Sequence, residues 1–151
     1  MKYTENLNLG KPDQDELYDV DDFNHNADII DEKFSELNGK MNELEQVELI
    51  TVTAATGISL DYNYTRCKKV GRIVELQIYV TSAFSKSVDS VCTIPEKYAP
   101  NIQTWGVGTA SNGGGDTVRF NVTSTGNVNI INAQNASFPN AFCRIVWILD
   151  K

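Results

Sequence analysis

Apolar residues between positions 20 and 44 recur at alternating spacings of three and four, which is typical of a coiled-coil helix. The average of 3.5 residues per turn matches the a and d positions of a left-handed supercoil. The stripe consists of Val20, Phe23, Ala27, Ile30, Phe34, Leu37, Met41 and Leu44. A surface helix of a globular domain carries a broader apolar face, whereas the flanks of this stripe are mostly polar. The pattern therefore predicts a helix that packs against other helices, with Lys40 of one chain facing Glu45 of a parallel neighbour.

The predicted helix begins near Asp21 and ends near Val47. Carboxylates such as Asp21 and Asp22 interact favourably with free N–H groups and with the positive end of the helix dipole. Gly39 costs about 1 kcal/mol relative to alanine in a helix interior. It falls at an outward position, so we expect at most a local kink there.

After Leu49 the hydrophobic period changes to two, which predicts β-strands separated by turns. The clearest strand is Arg72–Thr81, with its apolar side chains alternating toward a core. A hairpin is predicted from Thr117–Thr123 and Asn127–Ala133 around a Ser124-Thr125-Gly126 turn. Weaker strands are predicted at Leu49–Ala54, Asp61–Lys68, Val88–Ile94 and Thr104–Ser111.

The last predicted strand, Phe142–Leu149, is apolar on both faces except for Arg144. We expect it to be covered on both sides, either centrally in a sandwich or at a subunit interface. About eight strands in ~100 residues fit a β-sandwich or jelly roll. The expected fold is mainly β, with a coiled-coil helix over residues 21–48, a β-sandwich head over 49–151, and an extended, turn-rich segment over 1–20.

Charge divides the chain at the same place. Residues 1–48 hold 14 acidic and 4 basic side chains, a net charge of -10, whereas residues 49–151 hold 6 acidic and 9 basic, a net charge of +3. The acidic part would repel phosphates, and the basic excess of the remainder is not clustered beyond Lys68 and Lys69. Nucleic acid is therefore not an expected partner.

Neither a membrane segment nor a secretion signal is expected. No apolar run approaches the ~20 residues that span a bilayer, and the polar start MKYTENLNLG lacks the apolar core of a signal peptide. A soluble protein made in a cytoplasm is predicted.

Cys67, Cys92 and Cys143 are widely spaced and form no metal-binding pair, so they are expected to be reduced, buried thiols.

Catalytic and metal-binding patterns are weak, and no catalytic residue, metal or cofactor is predicted. His25, the single histidine, lies at an outward helix position without a nucleophile nearby in sequence. The acidic run 19–24 lacks the glycine and glutamate that an EF-hand loop needs. Glu75 with Asp89 or Asp116 would supply the carboxylates of a glycosidase, but no motif positions them together. The glycine run 113–115 is not followed by the Lys-Ser/Thr of a phosphate-binding loop.

Aromatic residues with polar tips are the best candidates for recognition, because such side chains stack on sugar rings and also form hydrogen bonds. Loops on a rigid β-scaffold often carry binding residues, which favours the segment from Trp105 to Asp116 and an exposed, mobile loop over 111–116. The candidate ligand-binding residues are Tyr62, Tyr64, Tyr79, Trp105, Asn112 and Asp116.

Two N-terminal stretches, YTENLNLGKP at 3–12 and DVDDFNHNADIID at 19–31, resemble the start of tail-fibre or receptor-binding proteins of phages and prophages from Gram-positive, clostridia-like bacteria. The later stretches GRIVEL at 71–76, IPEKYAP at 94–100 and STGNV at 124–128 are similar to signatures of phage tail-tip heads. The resemblance covers most of the chain.

The resemblance implies a homotrimer in the virion tail, although the a and d residues of the stripe match neither the dimer nor the trimer rule. In such proteins the N-terminal segment attaches to the tail or baseplate, a helical bundle follows, and a β-rich head ends the chain. The expected function is non-enzymatic recognition of a host cell-surface structure, and the expected ligand is a carbohydrate. A purely structural baseplate or fibre adaptor that binds other virion proteins is the alternative.

Overall fold

The chain divides into a helical unit, Met1–Glu45, and a β unit, Gln46–Lys151. The computed structural model describes residues 2–11, 20–110, 116–132 and 136–150.

The helical unit begins with two short antiparallel strands, β1 (Lys2–Tyr3) and β2 (Gly10–Lys11). The Asn26 side chain accepts a hydrogen bond from the N–H of Gly10 and donates one to its carbonyl, both 2.8 Å long. Asn8 adopts a φ of 54° in the connecting turn, a conformation that asparagine tolerates better than most residues. Residues 2–11 are therefore a hairpin held to the helix, where an extended segment is predicted; residues 12–19 lie outside the described residues.

Helix α1 spans Val20–Glu45, close to the predicted bounds of 21 and 47. None of its residues is buried, and the side chains of the apolar stripe are exposed, as shown by Phe34 and Leu44 at 62% each. Lys40 forms an ion pair of 2.9 Å with Glu36 of its own helix. Exposed pairs of this kind contribute little to stability. The partner helices that the stripe predicts are not supplied by a single chain.

The β unit contains nine strands among the described residues: β3 (Val47–Ile50), β4 (Thr53–Ala54), β5 (Arg66–Val70), β6 (Ile73–Val80), β7 (Val88–Thr93), β8 (Thr104–Ala110), β9 (Asp116–Val122), β10 (Asn127–Ile131) and β11 (Ala141–Ile148). A short 3-10 helix, Glu96–Tyr98, follows β7. The strands form one antiparallel sheet in the order β3-β5-β6-β11-β8-β9-β10-β7-β4.

The two edge strands of this sheet, β3 and β4, are separated along the chain by only Thr51 and Val52. A link of this length spans at most about 11 Å, whereas nine flat strands at about 4.8 Å spacing would extend roughly 40 Å. The sheet must therefore curl until its edges meet. The mainly-β prediction is confirmed, but the predicted strand Leu49–Ala54 is two strands on opposite edges, and one curled sheet stands where a two-sheet sandwich is predicted.

The inside of the curled sheet is the hydrophobic core. Val74, Leu76 and Ile78 are each 0% exposed, which confirms the core-facing side predicted for this strand. Phe120 and Phe138, also 0% exposed, fill the same core. Burial raises the pKa of the three thiols to about 12, and the prediction that they are buried free cysteines is confirmed: Cys67, Cys92 and Cys143.

A turn occupies residues 61–65, where the sequence pattern predicts the start of a strand. The carbonyl of Asp61 accepts hydrogen bonds from the N–H groups of Tyr64 and Thr65 at 3.1 and 2.8 Å. Its carboxylate accepts one from the N–H of Asn63 at 2.9 Å. Aspartate side chains that bond two residues ahead favour turns over strands. The strand therefore begins only at Arg66.

The predicted hairpin is confirmed as β9 and β10, which pair with Val122 opposite Val128. Gly126 adopts a φ of 82° in the turn, a conformation that glycine adopts without strain. Asp116 belongs to β9 and not to a loop, and residues 111–115 of the predicted mobile loop lie outside the described residues. The predicted end at Ala133 also lies outside them, and β10 ends at Ile131.

Of the two ways in which the last strand was expected to be covered on both sides, a sandwich is not formed, and a subunit interface stays a prediction. The strand is central, between β6 and β8, but only one of its faces meets the core. Val146 is 51% exposed and Ile148 62% exposed on the outer face. A single curled sheet has no second sheet to cover its outside, and only the predicted subunit interface remains as a way to cover these side chains.

Substituting alanine at Gly126 should strongly destabilise the β unit. A Cβ there would lie 2.2 Å from the backbone oxygen of Ile94, and alanine would also be strained at a φ of +82°. Gly57 is the matched control, because its φ is +79° but nothing lies within 4 Å of its Cβ position. We expect Gly57→Ala to cost about 1 kcal/mol and Gly126→Ala roughly 2 kcal/mol or more in urea unfolding. Equal losses would contradict the proposed steric clash.

Candidate ligand-binding surface

Three aromatic side chains stand side by side on the outer face of the curled sheet and are called the aromatic row: Tyr64, Tyr79 and Phe142. Tyr79 lies directly opposite Phe142 in the strand register, with ring centroids 6.4 Å apart. The rings of Tyr64 and Tyr79 meet edge to face, with centroids 6.0 Å apart and an interplanar angle of 86°. Together the three residues line a shallow depression of about 320 Å³.

Hydrogen bonds to the backbone hold the aromatic row in place. The N–H of Tyr79 donates to Oγ1 of Thr65 at 3.0 Å, and the carbonyl of Tyr79 accepts from the N–H of Asp61 at 3.0 Å. Nε2 of Gln77 donates to the carbonyl of Tyr64 at 3.1 Å. The turn at 61–65 is thereby tied to β6. The backbone that carries the Tyr64 and Tyr79 rings is therefore fixed, and a fixed backbone would lower the entropic cost of binding a ligand there.

The aromatic row offers apolar ring faces and phenolic hydroxyls, but no charged group. Tyr64 is 57% exposed, so its ring and hydroxyl are accessible. Phenolic hydroxyls both donate and accept hydrogen bonds. This surface suits a neutral ligand that has an apolar face and a hydroxylated edge.

The other predicted site residues lie elsewhere. Tyr62 is 60% exposed and lines a separate depression of about 290 Å³ that also contains Arg66. Trp105 is 54% exposed on β8, opposite Asn121 of β9. Asp116 opens β9, and Asn112 lies outside the described residues. Of the predicted site residues that the structure describes, only Tyr64 and Tyr79 lie together.

Phe142 was not among the predicted site residues. Its position in an apolar strand makes it look like part of a covered segment, because sequence alternation does not say which face of a two-sided apolar strand is outermost. The sequence feature that indicates its outward orientation is Arg144, two positions later in the same strand. A strand position flanked at i+2 by a charge points to the solvent side.

Glu75 lies on the same outer face, between two cations. Its carboxylate is 2.6 Å from Nε of Arg144 and 3.2 Å from Nζ of Lys68. Burial opposes ionisation, but the hydrogen bonds and charges of Lys68 and Arg144 outweigh it and lower the pKa of Glu75. A glycosidase acid needs a raised pKa, which is the opposite shift. Glu75 therefore has the environment of an ion-pair residue and not that of a glycosidase acid.

The remaining acidic and histidine candidates are dispersed. Asp89 lies on β7 and Asp116 on β9, whereas Glu75 lies on β6. His25 belongs to the helical unit. In the parts of the chain that the structure describes, no three His, Cys, Asp or Glu side chains come together as a metal site would require.

A larger depression of about 590 Å³ lies beside the 3-10 helix, where Glu96, Lys97 and Asn101 contribute polar groups. The neighbouring Tyr98 stabilises the fold through two hydrogen bonds. Its hydroxyl donates to Glu48, and its carbonyl accepts a 2.9 Å hydrogen bond from Nε1 of Trp147. These bonds anchor the 3-10 helix to the sheet.

Within the described residues, α1 is too polar to cross a bilayer, and no other helix is long enough to do so.

No model of a known protein family matches the chain, and no curated protein matches it. A solved structure of similar fold is the head domain of lactococcal phage bIL170, described among the receptor-binding domains of lactococcal phages. The similarity has a TM-score of 0.52 at 16% sequence identity and covers 69% of this chain and 99% of that head domain. The fold is therefore similar to that of a phage receptor-binding head domain.

Replacing Glu75 by glutamine should change how the stability of the β unit depends on pH. The folded pKa of Glu75 is lower than its ordinary value of 4.5, so its stabilising contribution is present above that pH and is lost as pH falls through the folded value. In urea unfolding from pH 7 to pH 3, Glu75→Gln should be less stable at neutral pH and should lose less stability on acidification. Glu96→Gln, at an exposed position, is the control. A variant with the same pH slope as the wild type would show that the ion pairs are not stabilising.

Proposed function

We propose that this protein is a phage or prophage tail protein that acts at the virion tail, where its β unit binds a structure on the host cell surface. The observation that carries the proposal is the likeness of the fold to the bIL170 head domain, which is covered over 99% of its length. The N-terminal resemblance to phage tail proteins supports the same assignment independently. The host group implied by that resemblance, Gram-positive and clostridia-like, stays a prediction.

The proposed assembly is a homotrimer built around α1. The apolar stripe supports it, because Phe34, Leu37 and Leu44 are about 60% exposed in the single chain. Burying such side chains against partner helices contributes about 1.5–3 kcal/mol for each one fully covered. The number three comes from the family resemblance, since the seam residues alone do not choose it.

The proposed role of the N-terminal segment is docking to the tail or baseplate. Residues 1–48 carry a net charge of -10, which favours a basic partner surface. The β1–β2 hairpin, held by Asn26, gives this segment a defined shape at its start.

The proposed ligand of the β unit is a carbohydrate. The aromatic row supports this choice, since its uncharged rings and hydroxyls match the apolar face and hydroxylated edge of a sugar. The depression is shallow, so one site should bind weakly. A trimer compensates by avidity, which raises apparent affinity by ~10²–10⁴ without new contacts at any one site.

The second candidate function is a structural adaptor that binds another virion protein. The observation that favours it is an exposed aliphatic group on the outer sheet face, formed by Ile73, Val146 and Ile148. Exposed apolar patches often mark protein interfaces. This function is non-enzymatic as well.

Assembly should fail when a charge is placed in the seam. Ile30→Asp puts a carboxylate at a position that the proposed trimer buries, where an unpaired charge is strongly unfavourable. We expect light scattering at micromolar concentration to show a trimer for the wild type and a monomer for the variant. His25→Asp adds the same charge at an outward position and should remain trimeric. A monomeric wild type would contradict the proposed assembly.

Adsorption to cells tests the receptor-binding function. Labelled full-length protein should bind some strains in a panel of Gram-positive bacteria that includes lactococci and clostridia. Tyr64→Ala should reduce this binding about fivefold or more, because an exposed ring of the aromatic row is removed with little cost to folding. Tyr62→Ala, which removes an equally exposed tyrosine outside the row, should bind like the wild type.

Two outcomes would contradict the proposal. Absence of binding to every strain, together with binding to tail or baseplate proteins, would favour the adaptor. Equal binding by Tyr64→Ala and the wild type would remove the aromatic row from the site.

A further inference from the structure

A ladder of uncharged polar groups crosses the outer face of the curled sheet and ends at the exposed Trp105. Trp105 on β8 is directly opposite Asn121 on β9, and Asn121 is directly opposite Asn129 on β10. Directly opposite residues have Cβ atoms about 4.5–5.5 Å apart. The indole ring and the two amides are therefore immediate neighbours on three consecutive strands.

The direction of the hydrogen bonds in this ladder is set by the backbone. The N–H of Ser90 can only donate, and it donates to Oδ1 of Asn129 at 2.7 Å. The amide of Asn129 is thereby oriented, so its Nδ2 donates to Oδ1 of Asn121 at 2.8 Å. Amide orientations are usually inferred from their partners, and here a backbone donor determines the whole chain of bonds. Nδ2 of Asn121 is left as the free end.

The free end is a hydrogen-bond donor next to an accessible aromatic ring. Asn121 is 3% exposed and Trp105 is 54% exposed. Among the described residues, Asn121 accepts a hydrogen bond through Oδ1, and no hydrogen bond is donated by its Nδ2. A nearly buried donor without an acceptor is energetically unfavourable, so a ligand atom that accepts a hydrogen bond at this position would be stabilised.

Irregular backbone geometry accompanies the ladder. The pairing of β10 with β7 shifts register between Val128 and Ile130, at the position of Asn129. Ser90 adopts a φ of 59°, which is uncommon for a residue other than glycine. A bulge of this kind re-aims side chains and N–H groups. In this sheet the bulge lies at Asn129, whose side chain accepts the hydrogen bond from the N–H of Ser90.

We propose that Trp105 and Asn121 form a second ligand subsite, which binds one neutral pyranose ring of a glycan. The apolar face of the ring stacks on the indole, and a hydroxyl or acetamido oxygen accepts a hydrogen bond from Nδ2 of Asn121. The ladder contains no charge, which favours a neutral sugar over an anionic one. This inference rests on the proposed carbohydrate ligand, but it places a contact on β8 and β9, separate from the aromatic row.

The two tryptophans provide a direct measurement. Trp147 is 5% exposed and hydrogen-bonded to Tyr98, so iodide should quench mainly the fluorescence of Trp105. Full-length protein is titrated with methyl glycosides of neutral hexoses and N-acetylhexosamines, with glucuronate, and with wall polysaccharide from a strain that the protein adsorbs to. We expect at least one neutral sugar and the polysaccharide to reduce iodide quenching about twofold or more at saturation. Protection by glucuronate alone would contradict the proposal that the bound sugar is neutral. It would indicate instead that Arg119, two positions from Asn121, pairs with the sugar carboxylate.

Variants then separate contact from folding. Trp105→Ala should weaken binding to the polysaccharide about tenfold, and Asn121→Ala about fivefold, since a stacked ring and one hydrogen bond are lost. Val107→Ala is the matched control on the same face of β8 and should bind like the wild type. Because Trp105 is half exposed, its variant should fold even if the Asn121 variant does not. Urea unfolding and circular dichroism check this for each protein.

The outcomes distinguish this inference from the proposed function. If the wild type adsorbs to cells and Trp105→Ala adsorbs equally well, the second subsite is wrong and the receptor-binding function stands. If the wild type adsorbs to no strain and no sugar protects Trp105, both are wrong. Saturable binding of polysaccharide without any change in iodide quenching would also overturn the subsite.

Discussion

The short link through Thr51 and Val52 is the constraint on which the β unit depends, since it joins the two edges of a nine-stranded sheet. It forces the sheet to curl, and a curled sheet has one enclosed face and one open face. The enclosed face holds the whole core, including Phe120 and Phe138. Among the described residues of the β unit no second layer covers the open face, which leaves outward side chains of the central strands such as Val146 exposed.

The open face is divided along the strands by a charged cluster. Arg144 follows Phe142 by two positions, and Glu75 pairs in register with Val146. The Glu75 ion pairs thus lie between the aromatic row and the aliphatic group that includes Ile148. Charged side chains keep this region hydrated and interrupt what would otherwise be one long apolar patch. The two ends of the face therefore differ in chemistry, one being aromatic and the other aliphatic.

Local features of the fold could be predicted from the sequence, and features that depend on chain closure could not. The helix, the β6 alternation and the turn at Gly126 follow from periodicity and turn chemistry, which act over a few residues. The single curled sheet depends on which strands become edges, and alternation carries no such information. The aromatic row was found only in part for the same reason, because Phe142 lies on an apolar strand whose open face is decided by the rest of the sheet.

The shallow depression on the sheet and the exposed stripe of α1 are physically related, because weak single contacts would need an assembly to hold several of them together. The depression at the aromatic row is open and about 320 Å³ in volume, so a ligand there buries little of its surface and a single contact is weak. Under the proposed function, useful affinity would then require several such sites held together, because a high effective concentration compensates for weak single contacts. In such an assembly the stripe residues of α1, which lie outside the β unit, would influence attachment more strongly than any one side chain of the sheet.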